Sequence, residues 1–496
     1  MFTDTGIDWS VIVAVTGVLA LVLDGVVRVL SVGVVPGNRK PSTGMAWILL
    51  IMFIPVAGLI IFWLFGRVDV GRRRHLRQIE ARKRVREQVG AFPAVAPPAD
   101  SSPLMPAVVR LNDNLGALPL VADNDVLVIE QYEDVIAEMT AEVEQAQRAV
   151  HAEFYIAAWD ELTGPLFEAM ARAAERGVDV RLLFDHIGSR RLAGYRDFTR
   201  RLDATGIRWY PMLPIMPLRG RFRRPDLRNH RKLLVVDGAV AFTGSLNLTE
   251  RGYHKARNHR LGRQWVECMV RLRGHAVSAL DAVFATDWYS ETSEVLDVEV
   301  AEPVRVGDGA QVRSVSCQVV PSGPGVRAEN NLALFTTLMY SATRRISLTS
   351  PYFVPDESLL YAVKAAAQRG VEVELFVSEQ SDQFMVGHAQ ASYYRTLLEA
   401  GVRIYLYPAP YILHSKHFTV DDDIAVIGSS NMDMRSFALN FEISVMMLGE
   451  PITTRMRAVE DHYREISREL LLEEWLARPR HLKYLDNAMR LTSALQ

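Results

Sequence analysis

Two histidines in this chain stand at the head of the same pattern. One copy reads His230-x-Lys232-x4-Asp237-x6-Gly244-Ser245-x-Asn247, and the other His414-x-Lys416-x4-Asp421-x6-Gly428-Ser429-x-Asn431. The two histidines and the two asparagines are separated by the same interval, so the internal spacing of the motif is retained. A neutral imidazole can attack phosphorus, and a second can protonate the departing oxygen. Lysine adds a fixed positive charge, while serine and asparagine add neutral donors suited to the non-bridging oxygens of a phosphodiester. A single copy would also fit an exposed strand face followed by a turn; two complete copies weigh against that. Lysine is a poor metal ligand at neutral pH, and neither copy has zinc or two-metal spacing. We therefore expect phosphodiester chemistry with no catalytic metal and no cofactor.

Strand geometry would deliver these groups. Residues i and i+2 of a strand face one side, so each histidine projects with its lysine. Residues 233–236 and 239–243 read as two strands joined at Asp237-Gly238, and residues 418–420 and 424–427 repeat the hairpin across a turn at 421–423. The glycine before each serine would let backbone approach a ligand. Asp237 and Asp421, at the hairpin tips, are candidates either for the chemistry or for holding the turn backbone. A wider repeat surrounds the motifs: Arg176-Gly177-Val178-x-Val180-x-Leu182 matches Arg369-Gly370-Val371-x-Val373-x-Leu375. Strand, helix, strand patterns at 150–155, 166–176 and 178–184 recur at 346–350, 359–369 and 371–377. This predicts an α/β protein with two domains, 111–300 and 301–496, whose mixed sheets are flanked by helices. The boundary falls near 291–309. Each half has one motif histidine, so a working site requires the motifs to face each other.

Each imidazole needs a partner on its other ring nitrogen to fix the tautomer, and a carboxylate suits that role. Glu267 and Glu442, in the corresponding apolar stretches 264–272 and 441–448, are the candidates. Lys232, Lys416, Asn247 and Asn431 would bind the phosphate, with Ser245 and Ser429 lining the same pocket. From the motif alone the two histidines are interchangeable as nucleophile and acid.

These motifs resemble the phospholipase D superfamily, and within it the bacterial cardiolipin synthases. The closer likeness rests on Arg228-Asn229-His230-Arg231-Lys232, Ser350-Pro351-Tyr352-Phe353-Val354-Pro355, Ser430-Asn431-Met432-Asp433-x-Arg435-Ser436, Asn440-Phe441-Glu442 and Trp475-Leu476-Ala477-Arg478-Pro479. It extends from the first apolar segment to the C-terminal end. The resemblance implies two phospholipase D-like domains related by pseudo-twofold symmetry, His230 as nucleophile and His414 as general acid. It also implies crossed orientation, Glu442 with His230 and Glu267 with His414. The implied reaction is phosphatidyl transfer between two phosphatidylglycerol molecules with release of glycerol. Hydrolysis, or transfer with another lipid donor or acceptor, would use the same motifs.

Composition fits packed cores plus a membrane-inserted segment, with 49% apolar and 23% charged residues and a net charge of −2 that says little about partners. Cys268 and Cys317 are too few and too far apart for a disulfide framework. Residues 9–35 and 44–65 read as a transmembrane hairpin, the first segment interrupted by Asp24 and Arg28 at pairing distance on a helix. Asp4 and Asp8, with no preceding Lys or Arg, argue against a cleaved signal peptide. The segment 67–110 begins with Arg67, Arg72, Arg73, Arg74, Arg77, Arg82, Lys83, Arg84 and Arg86 and continues as a Pro/Ala-rich linker. That cluster places the catalytic domains on the cytoplasmic face of the cell membrane, although Arg39 and Lys40 make the asymmetry imperfect. It could equally bind anionic headgroups. Arg219, Arg221, Arg223, Arg224 and Arg228 could attract anionic lipid or form a solvated loop. Tyr352 and Phe353 could line a channel or belong to the core. A nuclease would favour a basic groove with stacking aromatics on a soluble chain, so we expect a membrane and an anionic phospholipid as partners, and no nucleic acid. A scaffold without activity would be expected to have lost part of one motif.

Overall fold

The computed structural model describes residues 9–37, 41–66, 72–89, 92–215, 224–298, 300–301, 312–324 and 329–493. Arg39, Lys40, Arg67, Arg219, Arg221, Arg223 and residues 299 and 302–309 of the expected boundary lie outside the described residues. The chain divides into two compact units, Met1–Asp69 and Val70–Gln496.

In the first unit, α1 (Trp9–Val34) is one continuous apolar helix, and Ile12–Val34 is long enough to cross a membrane. Arg28 pairs with Asp24 one turn away at 2.8 Å. The run 44–65, expected as a second transmembrane helix, is divided among α2 (Pro41–Phe53), α3 (Pro55–Ile61) and a π-helical turn, Phe62–Gly66. Pro55 has no N–H to continue a helix and disfavours helical backbone at the preceding residue, so Ile54 leaves the helical region at φ −136° and ψ 77°. The chain then turns back on itself. The Trp47 and Phe62 rings lie 5.5 Å apart edge to face, where a straight helix would separate them by ~22 Å.

The second unit opens with α4 (Arg72–Val89), which packs on a later helix. It is followed by α5 (Met105–Leu115), β1 (Val121–Ile129), α6 (Tyr132–Glu144), β2 (Ala149–Phe154), α7 (Gly164–Glu175), β3 (Asp179–Asp185), α8 (His186–Arg190), α9 (Tyr195–Asp203), β4 (Arg208–Met212), β5 (Lys232–Val236), β6 (Val240–Gly244), α10 (Ala256–Arg260), β7 (Gln264–Val266), β8 (Met269–Arg273) and α11 (Ala276–Thr292). After β9 (Val312–Ser322) come α12 (Asn330–Ser341), β10 (Arg345–Thr349), β11 (Phe353–Val354), α13 (Glu357–Gln368), β12 (Glu372–Ser378), α14 (Phe384–Glu399), β13 (Arg403–Tyr407), β14 (Tyr411–Leu413), β15 (His417–Val420), β16 (Ile424–Gly428), β17 (Met432–Asp433), α15 (Met434–Ala438), β18 (Glu442–Leu448), α16 (Glu450–Ile466), β19 (Arg468–Leu470), α17 (Leu472–Leu476) and α18 (Arg480–Arg490). In α4, Arg74 pairs with Glu291, the Arg77 guanidinium donates to Ser290 O at 3.4 Å, and Glu80 accepts from the Tyr289 hydroxyl at 2.8 Å.

Among the described residues, fifteen strands join one mixed sheet in the order β19-β13-β12-β10-β15-β16-β18-β9-β1-β8-β6-β5-β2-β3-β4. The order β4-β3-β2-β5-β6-β8 on one side recurs as β13-β12-β10-β15-β16-β18 on the other, joined where β9 pairs antiparallel with β1. The α/β architecture is thus as expected, with its two halves continuous in a single sheet. Strand alternation distributes the core. Leu234 and Val236 pack outward with Phe154, Leu166 and Phe167, while Leu233 and Val235 pack into a central layer with Ala425, Ile427 and Val445. Helices α11 and α16 contribute Phe284, Trp288, Met456 and Val459 to that layer. With both faces covered, the strands read as continuous apolar runs.

The repeated Arg-Gly-Val serves the same purpose twice. Gly177 and Gly370 adopt φ of +90° and +91°, ending α7 and α13 in the left-handed conformation that glycine enters freely. The preceding arginines reach back to cap the last carbonyls of the neighbouring helix region: Arg176 donates to Glu144 O at 2.9 Å, and Arg369 to Tyr340 O at 3.1 Å.

At the hairpin tips, Asp237 and Asp421 hold strained backbone, φ +51° and +47°. The Asp237 carboxylate accepts from the N–H groups of Gln147, Arg148 and Ala149 at 2.7–2.9 Å. Asp421 accepts from those of Thr343, Arg344 and Arg345 at 2.7–3.0 Å and from the Thr343 hydroxyl at 2.7 Å. Burial opposes ionisation of Asp421, but these donors outweigh it and hold the carboxyl below its usual range. Each aspartate ties its hairpin to the start of the adjacent strand, seven residues and roughly 20 Å along the strand from the histidine. Asp421→Ala is expected to lower the unfolding free energy by ~2–4 kcal/mol in a denaturant titration in detergent while sparing turnover per folded molecule. Unchanged stability with turnover abolished would return Asp421 to the chemistry.

Candidate active site

Short parallel ladders bring the two motifs together. β14 pairs with β7 so that Leu413 lies opposite Val266, and the next residues are His414 and Glu267. The His414 N–H donates to Val266 O at 2.8 Å. In the other copy Asn229 bridges Phe441 in parallel, the His230 N–H donates to Phe441 O at 2.8 Å, and the next residue is Glu442. Each histidine is therefore set beside a glutamate of the opposite half by backbone pairing one residue earlier. His414 Nδ1 lies 2.8 and 3.0 Å from the two Glu267 oxygens, and His230 Nδ1 lies 3.0 Å from Glu442. With Nδ1 of each ring turned to a glutamate, Nε2 of each is left to face substrate. Asp185, fully buried, fixes the approach to His230 by accepting from the Asn229 N–H at 2.9 Å and from Arg228 at 3.1 Å. Ser378 does likewise for the second copy, its hydroxyl accepting from the Leu413 N–H at 2.9 Å.

The Gly-Ser pairs pack against the strands that carry the glutamates. A Cβ on Gly244 would stand 2.4 Å from Cys268 O, and one on Gly428 2.2 Å from Ile443 O, so the close approach is to the neighbouring strand and not to a ligand. The Ser429 hydroxyl donates to Glu442 at 2.5 Å and accepts from the Ile443 N–H at 2.9 Å. The Ser245 hydroxyl donates to Cys268 O at 3.2 Å and accepts from the Cys268 N–H at 3.0 Å, beside Glu267. Both serines are fully buried. Asn247 and Asn431 follow two positions after the serines. Asn247 donates to the Tyr253 hydroxyl at 2.9 Å and Asn431 to Asp433 at 3.1 Å, leaving the buried Asn431 Oδ1 unpaired. Asp237 and Asp421 are not brought to the histidines.

Electrostatically the two motifs form one site. Lys232 and Lys416 are buried, each donating to the carbonyl of its own histidine at 2.5 and 2.6 Å. Loss of water brings the Lys232 ammonium down to about 7, aided by repulsion from Lys416. Burial lowers Lys416 to about 8 against the pull of Glu267 and Glu442. Burial also pushes His230 down to about 4, with Glu442 working in the other direction, and pushes His414 well below its ordinary value, aided by both lysines and His230. The glutamates diverge. Burial takes Glu267 up to about 8, whereas at Glu442 the same penalty is outweighed by His230, Lys232 and Ser429, and the carboxyl falls below its usual range. Two ammonium groups held close together in a dry site favour an anion that bridges them.

Several participants carry no sequence signal of their own. The Tyr155 ring stands edge-on to His230 at 5.0 Å, and Lys232 Nζ lies 5.6 Å from its centroid. Tyr253 stands edge-on to His414 at 6.4 Å and links Asn247 to Glu267. Its φ of +58°, followed by +51° at His254, marks a tight loop that places it. Arg231, between the motif histidine and lysine, donates to Glu442 O at 3.0 Å and to Ser322 O at 3.2 Å, and pairs with Asp287. Of the two aromatics weighed as channel or core, Phe353 is core, while Tyr352 donates its hydroxyl to Asp382 at 2.9 Å. Among the described residues no group of three or more His, Cys, Asp or Glu is placed to hold a metal ion.

The chain is similar to known proteins along most of its length. Residues 139–288 and 335–463 match the family described as cardiolipin synthase, PLD-like domain, and residues 25–67 match the phospholipase D-nuclease N-terminal family. The chain is 33% identical to the cardiolipin synthase of Geobacillus kaustophilus (strain HTA426) over 466 residues, 92% of this chain and 90% of the relative. It is 30% identical to cardiolipin synthase A of Klebsiella pneumoniae (strain 342) over 483 residues, 96% of each. Among solved structures, the phosphatidylserine synthase of Haemophilus influenzae Rd KW20 shares the fold, with a TM-score of 0.59 at 15% identity, covering 78% of this chain and 99% of that one. Matched through both motif-bearing halves and aligned along nearly its whole length, the chain belongs to the cardiolipin synthase, PLD-like domain family.

Proposed function

We propose that this chain joins two phosphatidylglycerol molecules into cardiolipin at a site facing the cytoplasm, releasing glycerol through a phosphatidyl-histidine intermediate. The observation that carries the reading is the crossed hydrogen bonding of two buried histidines to glutamates, with two buried lysines beside them. His230 Nε2 attacks phosphorus, the bond from phosphorus to the glycerol oxygen breaks, and that oxygen takes a proton from His414. The terminal hydroxyl of the second phosphatidylglycerol then gives its proton to His414 and attacks phosphorus, and the phosphorus–nitrogen bond breaks. Lys232 and Lys416 balance the phosphate charge, with Asn247 and Asn431 as neutral neighbours.

The unlike glutamates support this division of labour. An ionised Glu442 suits a neutral His230 with a free Nε2. Glu267, raised to about 8, keeps a proton in the His414 pair at neutral pH, as a general acid requires. We take residues 111–300 and 301–496 as two phospholipase D-like domains related by a pseudo-twofold axis, a reading supported by the recurring strand order. The basic residues from Arg67 to Arg86 support the cytoplasmic orientation.

Reconstitution into phosphatidylglycerol liposomes with EDTA should yield cardiolipin and equal amounts of glycerol by mass spectrometry. Phosphatidic acid as the sole product would make water the acceptor and the chain a hydrolase. His230→Ala should lower turnover by at least ~10³-fold with the fold retained, and His414→Ala should leave a phosphorylated histidine trappable on His230. Recovery of that adduct from residue 414 in the His230→Ala protein would reverse the roles. In the wild type, kcat/KM should fall as pH rises through about 7 to 8, where free Lys232 and Lys416 lose their charge. The alkaline limb of kcat should lie higher, because a bound phosphate anion favours both ammonium forms. A kcat/KM flat to pH 10 would exclude the lysine pair as the phosphate clamp.

A further inference from the structure

The apolar N-terminal unit has a shape that a two-span hairpin does not explain. We infer that the chain crosses the bilayer once, through α1, with its N-terminus outside, and that α2 and α3 form a re-entrant wedge seated in the cytoplasmic leaflet. This rests on the membrane-bound, cytoplasmic reading above and changes how the anchor meets the lipid.

Length is the first observation. α1 has 26 residues, a rise of ~39 Å, which exceeds the ~30 Å hydrocarbon core. α2 has 13 residues and rises only ~20 Å, so it ends inside the bilayer. Direction is the second. After the break at Ile54 the chain does not continue across but returns along α2: a Cβ on Gly58 would stand 2.9 Å from Ile51 Cα and from Leu50 O. The absent side chain at Gly58 is what lets α3 lie against α2. The break is compatible with depth in a bilayer, since Pro55 has no N–H to satisfy, Ile54 N–H still bonds Leu50 O at 2.9 Å, and Gly58 N–H bonds Ile54 O at 2.6 Å.

The surface of the wedge fits lipid at its tip and protein at its base. Phe53, Ile54 and Val56 at the turn are 82%, 54% and 69% exposed, an apolar point with no protein cover. Further down, Ile51 and Phe62 are buried together with Val35 and flanked by Val27, from the C-terminal third of α1. Over the rest of α1, Val13, Val18, Leu19, Leu21 and Leu23 are all more than 60% exposed. A second span running antiparallel to α1 would pack along its full length. A wedge confined to one leaflet touches only the end of α1 within that leaflet.

Charge supplies an independent observation. The residues before α1 hold Asp4 and Asp8 and no Lys or Arg, whereas Arg39 and Lys40 precede α2 and nine basic residues between Arg67 and Arg86 follow α3. In a two-span hairpin Arg39 and Lys40 would face outward, against the positive-inside tendency. With a single crossing both basic groups lie on the cytoplasmic side, at either foot of the wedge, where anionic headgroups are found.

The test uses single cysteines in the full chain, since Cys268 and Cys317 are fully buried and give no background. Thr3→Cys, Asn38→Cys and Glu473→Cys variants are treated with a membrane-impermeant maleimide in intact spheroplasts, and labelling is scored against permeabilised spheroplasts. The single crossing predicts full labelling of Thr3→Cys without permeabilisation, and protection of the other two until permeabilisation. Labelling of Asn38→Cys with protection of Thr3→Cys and Glu473→Cys would overturn the wedge in favour of two spans and leave the cytoplasmic site standing. Labelling of Glu473→Cys from outside would overturn the cytoplasmic reading itself.

Discussion

Two ammonium groups, two imidazoles and two carboxyls are buried in one place, and the rest of the fold follows from keeping them there. A buried lysine is tolerable only with nearby negative charge or a bound anion, and a catalytic imidazole needs its second nitrogen fixed. Both requirements are met by the same two glutamates, each from the half that does not carry its histidine. The glutamates are not delivered by long side chains reaching across a gap. They are the next residues after parallel backbone pairs, Leu413 with Val266 and Asn229 with Phe441. Such pairs form only if the halves are already docked, which explains why the sheet runs without interruption through β9 and β1 and why the central apolar layer draws on both halves.

Much of this was legible in the chain because it depends on local periodicity. The i, i+2 spacing of histidine and lysine, the glycine caps at 177 and 370, and the acidic residues in otherwise apolar strands all identify themselves within a few residues. What the sequence hid depends on neighbours across strands. The Gly-Ser pair looks like a phosphate cradle when read alone, yet its glycine faces Cys268 or Ile443 and its serine braces a strand and glutamate. Asp237 and Asp421 keep fixed spacing from the histidines because a hairpin of fixed length must close, so constant spacing did not imply shared chemistry. Tyr155 and Tyr253 reach the imidazoles from loops whose course no short pattern encodes. In the membrane segment, hydropathy counts apolar residues without direction, so a run that reverses at Pro55 scores like one that continues.

Duplication also explains how one motif yields two roles. A site built from equivalent halves would give both histidines the same proton affinity, and neither would be committed to attack or to protonation. The surroundings break that equivalence. Behind His230 the residue between histidine and lysine is Arg231, paired with Asp287 and holding the Glu442 backbone. At the corresponding place in the second copy stands Ser415, whose hydroxyl meets the His417 ring at 2.7 Å. There burial takes His417 down to about 3 and Glu460 up to about 8, so that flank is neutral near pH 7. A buried ion pair supports one motif and a neutral network the other, while the backbone pairing beside the two imidazoles stays the same. Selection can therefore tune proton affinity through the residues behind each strand without moving either histidine, and an asymmetric reaction can run on a duplicated frame.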